Sequence, residues 1–180
     1  ILRKAHDDFR KETGMNFRAL GELEYYVMTP KEDCEMYPAQ DQKGYHASHP
    51  FAKFEDFRRE AMSLIAQCGG EIKYGHSEVG NFHSDDMYFE QQEIEFLPCM
   101  AEDAADQMLV AKWILRKLSY EYGFVISLAP KITVGKAGSG LHIHMMLEKD
   151  GKNMMVENDK LSDDAKKMIA GLFGTGGSLT

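Results

Sequence analysis

The segment AGSGLHIHMML, residues 137–147, carries His142 and His144 two residues apart behind a glycine-rich turn. Side chains on a strand alternate faces. A strand here puts both imidazoles on one side and the apolar set Leu141, Ile143, Met145 and Leu147 on the other, facing a core. Carboxylates recur at the same spacing: Glu22 and Glu24 in ALGELEYYVM, Glu93 and Glu95 in QQEIEFLP, and Glu78 at the end of EIKYGHSEV. Taken singly, a Glu-x-Glu pair is a solvated sheet face and a strand histidine a satisfied structural residue. Jointly, three strands bring carboxylates, and a fourth imidazoles, to the face opposite an apolar one. Carboxylates with one or two imidazoles suit Mg²⁺ or Mn²⁺, hard cations that prefer oxygen donors. Zinc fits less well, because the chain has neither a thiolate cluster nor an HExxH helix. If the face curves inward its charges repel, and two ions about 4 Å apart are a standard clamp for phosphoryl chemistry. GKAGSG lacks the Lys-then-Ser/Thr ending of a Walker A loop. It reads as a turn whose backbone, free of Cβ, can approach a substrate closely.

The elements that must position these residues follow from periodicity. Residues 1–13 carry Leu2, Ala5 and Phe9 at helical spacing and stop at Gly14. Residues 19–28 alternate as a strand, with Gly21, Leu23, Tyr25 and Val27 opposite Glu22, Glu24 and Tyr26. A long polar stretch with Pro30, Pro38, Gly44 and Pro50 follows, and its length marks it as functional. Phe54, Phe57, Ala61, Leu64, Ile65 and Cys68 form the stripe of an amphipathic helix ending at Gly69-Gly70. Residues 71–79 read as a strand, GNFHSDDMYF as a loop, and QQEIEFLP as another strand, with Ile94 and Phe96 opposite the glutamates. Residues 101–122 make the longest helix, with Ala104, Met108, Ala111, Leu115, Leu118 and Tyr122 in line and Gly123 as its stop. FVISLAP reads as a buried strand, Asp150-Gly151 as a hairpin turn, and LSDDAKKMIAGLF as a helix capped by Ser162. The order predicts an α+β fold with a largely antiparallel sheet.

Composition bounds the function. The chain has 180 residues, 43% of them hydrophobic, which suits one domain with a real core. Its net charge of −8, without a basic block, argues against nucleic acid. Cys34, Cys68 and Cys99 are far apart and read as reduced thiols of a cytoplasmic protein. No apolar run approaches the ~20 residues of a membrane span. The chain opens inside a helical pattern and stops in GTGGSLT, so a piece of a longer protein is expected.

The order Glu-x-Glu strand, HSEVG, QQEIEF, long helix and APKITVGKAGSGLHIH resembles the catalytic domain of the glutamine synthetase family over roughly residues 1–172. The resemblance implies a curved sheet with helices packed on one face. It also implies ATP-dependent ligation of ammonia to glutamate through a γ-glutamyl phosphate, with two or more Mg²⁺ or Mn²⁺ ions and ATP as co-substrate. It places Glu24, Glu78 and Glu93 at the tighter metal, and Glu22 and His142 at the second. It assigns catalytic roles to Glu78 and Tyr45, the latter near the ammonium pocket. His144, Gly138 and Ser139 fall at nucleotide and substrate. It also implies a homo-oligomeric ring in which an N-terminal β-grasp domain completes the neighbour's site, and a further metal carboxylate and several arginines downstream of these residues.

Departures from the family pattern lie around the substrate rather than the metals. Ile132 replaces a proline, Ala137 an asparagine, Met146 a serine and Lys73 a glutamate, and NFHSDDMYFE lengthens the link between Glu78 and Glu93. Residues 80–91 are therefore expected as a mobile loop or short hairpin at the mouth of the site, with Asp85 and Asp86 solvated. A γ-glutamyl ligase for another amine, or a non-catalytic metal-binding relative, is the alternative.

Overall fold

The computed structural model describes residues 1–32, 36–84 and 86–178, which leaves Cys34 and Asp85 outside the described residues. The residues gather into two compact units. The larger comprises Leu20–Leu97 and Ala105–Ile143, and the smaller Ile1–Ala19, Pro98–Ala104 and His144–Thr180.

In the larger unit, β1 (Asn16–Pro30) lies between β3 (Met87–Phe96) on one side and β5 (Val125–Ser127) and β6 (Leu141–Lys149) on the other, with β2 (Ile72–Ser84) outside β3. β1 pairs antiparallel with β3 and β5, and β2 with β3, as the sequence predicts for an α+β chain. Alternation along β1 sends Leu23, Tyr25 and Val27 into the core, where they meet Ile94 and Phe96 of β3. Helices α2 (Glu55–Gln67) and α3 (Ala101–Tyr122) supply Phe57, Ala61 and Ile65, and Met108, Leu115 and Leu118. Fully burying such a side chain stabilises the fold by about 1.5–3 kcal/mol.

Charged groups sit in this core with hydrogen-bond partners, although the Arg58 Nε stays unpartnered. Glu90 of β3 is fully buried. It accepts from the backbone N–H of Lys53 and Phe54 at 2.9 and 3.2 Å, from the Tyr88 hydroxyl and from the Gln92 amide. A carboxylate at the head of α2 thus satisfies amides that a helix start leaves unpaired. Arg58 of α2 donates to Gln92 and Ser77, tying the helix to both strands of the β2–β3 pair.

In the smaller unit, α1 (Leu2–Thr13) ends at Gly14, whose φ of 69° suits a left-handed cap. Its buried residue is His6, which pairs with Glu102 and accepts the Phe17 N–H at 2.8 Å. Ser162 caps α4 (Asp163–Thr175) by accepting from the Ala165 N–H. β4 (Cys99–Met100) pairs with β1, β7 (Lys152–Asn153) with β6, and β8 (Val156–Glu157) with β9 (Lys160–Leu161). Among the described residues no helix is long and apolar enough to cross a membrane, and Cys68 and Cys99 are free thiols.

Four sequence expectations are corrected. GNFHSDDMYF is not a loop: β2 runs on to Ser84 and β3 starts at Met87, so the inserted residues form the end of a hairpin. Phe82 and Phe89, directly opposite, stack at 4.6 Å and supply the burial that the polar composition concealed. FVISLAP is not a buried strand, since only Val125–Ser127 pairs and Val125 is exposed. Leu141 and Ile143 are also exposed, and of the apolar set on β6 only Leu147 is buried. Finally, Leu2, Cys68 and Tyr122 lie at the ends of their helical stripes and are exposed.

Candidate metal centre

Register aligns the carboxylates. On one face of the sheet Glu22 lies opposite Glu95, and Glu24 opposite Glu93. On the far side of β3, His76 is opposite Glu93 and Tyr74 opposite Glu95. The face therefore carries the rows Glu24–Glu93–His76 and Glu22–Glu95–Tyr74, as a period of two requires. Between Ser77↔Gln92 and Asn81↔Glu90 the register slips, and Glu78, Val79 and Gly80 together oppose Gln91. Such a bulge bends a strand and re-aims its side chains, and it contains Glu78. The long polar segment docks against it: Gln42, Gly44 and His46 donate backbone N–H groups to Asn81, Val79 and Ser77. A Cβ on Gly44 would meet the Glu78 carbonyl at 2.5 Å, so this approach requires glycine.

Among the described residues two clusters could each hold a divalent cation, Glu22–Glu93–His142 and His76–Glu78–Glu93, with Glu93 common to both. His142 Nδ1 is 2.8 Å from Glu22 and 3.9 Å from Glu24, while His76 Nε2 is 3.2 Å from Glu93. Burial, reinforced by the charges of Glu24, Glu78, Glu22 and Glu95, pushes the Glu93 carboxyl up to about 8. Burial also raises Glu24, against the Gly140 N–H that its carboxylate accepts at 3.0 Å. Carboxylates crowded until one retains its proton are the donor set that a divalent cation relieves. Glu95 behaves otherwise. Its burial is outweighed by hydrogen bonds from Lys73 and Tyr74, which hold it below the usual carboxylate range. Lys73 reaches it at 2.8 Å. The lysine that breaks the family pattern thus pairs with Glu95, which shares the face but belongs to neither cluster described above.

The structure brings together Glu22, Glu78, Glu93 and His142 through these clusters, and Glu24 through its place opposite Glu93. Tyr45 joins them by edge contact with His76 at 5.4 Å, and His46 stacks on His76 at 4.2 Å. Gly138 and Ser139 are gathered by Gln91, whose amide donates to the Gly138 carbonyl and the Ser139 hydroxyl. His144 is exposed and begins the C-terminal part of the smaller unit. Reading the sequence missed His76, Tyr74, His46 and Gln91. Alternation could have found His76, two residues before Glu78 on the same strand. Gln91 carried no signal, being an uncharged polar residue in a segment read partly as loop.

A family model described as glutamine synthetase, catalytic domain, matches residues 1–180. The glutamine synthetase of Clostridium saccharobutylicum is 34% identical over 177 residues, covering 96% of this chain and 38% of that protein. That of Methanosarcina mazei is 31% identical over 179 residues, with the same two coverages. A solved Plasmodium falciparum glutamine synthetase superposes with a TM-score of 0.81 at 18% identity, covering 97% of this chain and 39% of that one. A GmaS/ADP complex superposes at 0.75 and 18% identity, covering 96% and 39%. These likenesses bear out the α+β fold.

Proposed function

Since the chain belongs to the glutamine synthetase family, we propose that its carboxylate face serves the ATP-dependent ligation of ammonia to glutamate through a γ-glutamyl phosphate. The chain spans 38% of the length of the relatives cited, so the reaction is that of a longer protein. The observation that carries the reading is the convergence of Glu22, Glu78, Glu93 and His142 into two clusters sharing Glu93. Glu24, Glu78 and Glu93 would hold one Mg²⁺ or Mn²⁺, and Glu22 and His142 a second. Bound there, the ions would neutralise charge on a transferred phosphoryl group.

The chain's own residues do the rest. Glu24 and Glu93 stay crowded, and Glu93 is poised to lose a proton to an arriving cation. Gly138 and Ser139 present backbone that a substrate can approach. Glu78 and Tyr45, each beside His76, supply a negative charge and an aromatic wall suited to a small cation such as ammonium. ATP enters beside His144, and a homo-oligomer closes the site. The test is phosphate release by the full-length protein with ATP, Mg²⁺, glutamate and ammonia, beside Glu93→Gln. The expected result is ammonia-dependent release that Glu93→Gln abolishes. Release unaffected by Glu93→Gln, or none with ammonia, would overturn the reading.

A further inference from the structure

Gln91 lies on β3 opposite Tyr26 and is 1% exposed. Its side-chain oxygen accepts the Gly80 N–H at 3.0 Å. Its amide nitrogen donates to Glu24 Oε2 at 2.8 Å and to the Gly138 carbonyl at 2.9 Å, with the Ser139 hydroxyl at 3.3 Å. This pattern admits one orientation. Flipped, the amide would set its oxygen against a carboxylate and a carbonyl, and its nitrogen against an N–H donor. We propose that Gln91 is the positioning residue of the site, fixing Glu24 and the 137–140 turn to each other. The proposal rests on the reading of Glu24 as a metal ligand.

The turn is held at every residue, and Gln91 stands at the centre. Tyr26 donates to the Ala137 carbonyl at 2.8 Å, and Gln42 accepts the Ala137 N–H. The Ser139 N–H goes to the Pro130 carbonyl, and the Gly140 N–H to the same Glu24 oxygen that Gln91 grips. Glu24 Oε2 therefore receives two donors, one from Gln91 and one from the turn, and Oε1 is the oxygen turned toward His142. The packing leaves no slack. A Cβ on Gly80 would meet the Tyr26 hydroxyl at 1.9 Å and the Gln91 oxygen at 2.8 Å. A Cβ on Gly140 would meet His142 Nε2 at 2.9 Å and Glu24 Oε1 at 3.0 Å. An amide buried among fixed backbone groups is a rigid spacer, and partners of this kind behind a metal ligand are worth about 10–100-fold in metal affinity.

The experiment compares the full-length protein with Gln91→Met, which keeps length and removes both hydrogen-bonding ends. Mn²⁺ binding is read from the paramagnetic resonance of the free ion, and amide hydrogen exchange is followed at Ser139 and Gly140. Gln91→Met is expected to weaken Mn²⁺ binding about tenfold and to speed exchange at both amides. Should it fail to fold, Gln91→Asn, one methylene short of Glu24 and Gly138, takes its place with the same expectation. A residue that merely fills space would lower thermal stability yet leave affinity and local exchange as they were, and that result overturns the proposal. If the unaltered protein binds no Mn²⁺, the metal reading fails. The exchange rates still decide on Gln91, because protection at Gly140 needs no metal.

Discussion

Glu93 is the residue on which the carboxylate face turns. Its carboxyl, raised to about 8 by burial and by four neighbouring glutamates, sits near 4.5 in an unfolded chain. Between these values the folded protein holds a proton that the unfolded one has lost. Stability therefore falls as pH rises through the window, and the penalty is absent below it. Glu95 and Glu102, held below the usual range, act in the opposite sense and at lower pH. With divalent ions chelated, the protein is expected to lose about 1–3 kcal/mol between about pH 5 and pH 8, as measured by denaturant unfolding. Mn²⁺ should reverse the loss and release a proton on binding, visible as calorimetric heats that vary with the buffer's ionisation enthalpy. Glu93→Gln should flatten the pH slope and weaken Mn²⁺ binding at least about tenfold. A slope unchanged by that substitution would show that the charge crowding lies elsewhere.

The hairpin of β2 and β3 is the element that makes the site, because it bears Glu78 and Glu93 on one face and Glu90 and Gln92 on the other. Glu90 accepts from four donors, so its carboxylate suits the place and an amide does not. Glu90→Gln would turn donors toward donors at the head of α2 and is expected to cost about 2–3 kcal/mol, measured by chemical denaturation. A cost below about 0.5 kcal/mol would mean that the buried pocket relaxes around an amide. This element also shows what a sequence can convey. Alternation located Glu22, Glu24, Glu93 and His142, since a period of two is written into the residues themselves. Helical spacing with local stops gave the ends of α1 and α3 and the start of α4, where Gly14, Gly123 and Ser162 act. The extension of the hairpin to Ser84 was hidden, because Phe82 and Phe89 find each other only once the strands pair. The bulge at Glu78–Gly80 was hidden for the same reason, since it exists only relative to Gln91 across the sheet. His76 and Gln91 owe their roles to those cross-strand neighbours.

At the scale of the whole molecule, residues 1–180 contain the paired carboxylate clusters but a site open to water. The His142 side chain is 64% exposed and Tyr45 is 59% exposed. The second ion would have only Glu22 and His142 for dedicated protein ligands, since the family resemblance puts its further carboxylate downstream. The same resemblance puts the arginines that face the phosphoryl group there, and charge-stabilising groups of that kind are worth about 10³-fold or more in related chemistry. An acyl phosphate formed in so open a site would be lost to hydrolysis. Folding makes a lesser demand. The larger unit has its own core of strand and helix residues, with Tyr25, Ile65, Ile94 and Leu115 fully buried. Residues 1–180 produced alone are therefore expected to fold, to bind Mn²⁺ through Glu24, Glu78 and Glu93, and to make no glutamine. Calorimetry with Mn²⁺ and a coupled synthetase assay, run on the same preparation, separate the two halves of this expectation. Turnover near that of the longer protein would show that the arginines and the closing subunit are dispensable. A folded chain that takes up no Mn²⁺ would show that the three carboxylates, though gathered on one face, need those absent parts to become a metal site.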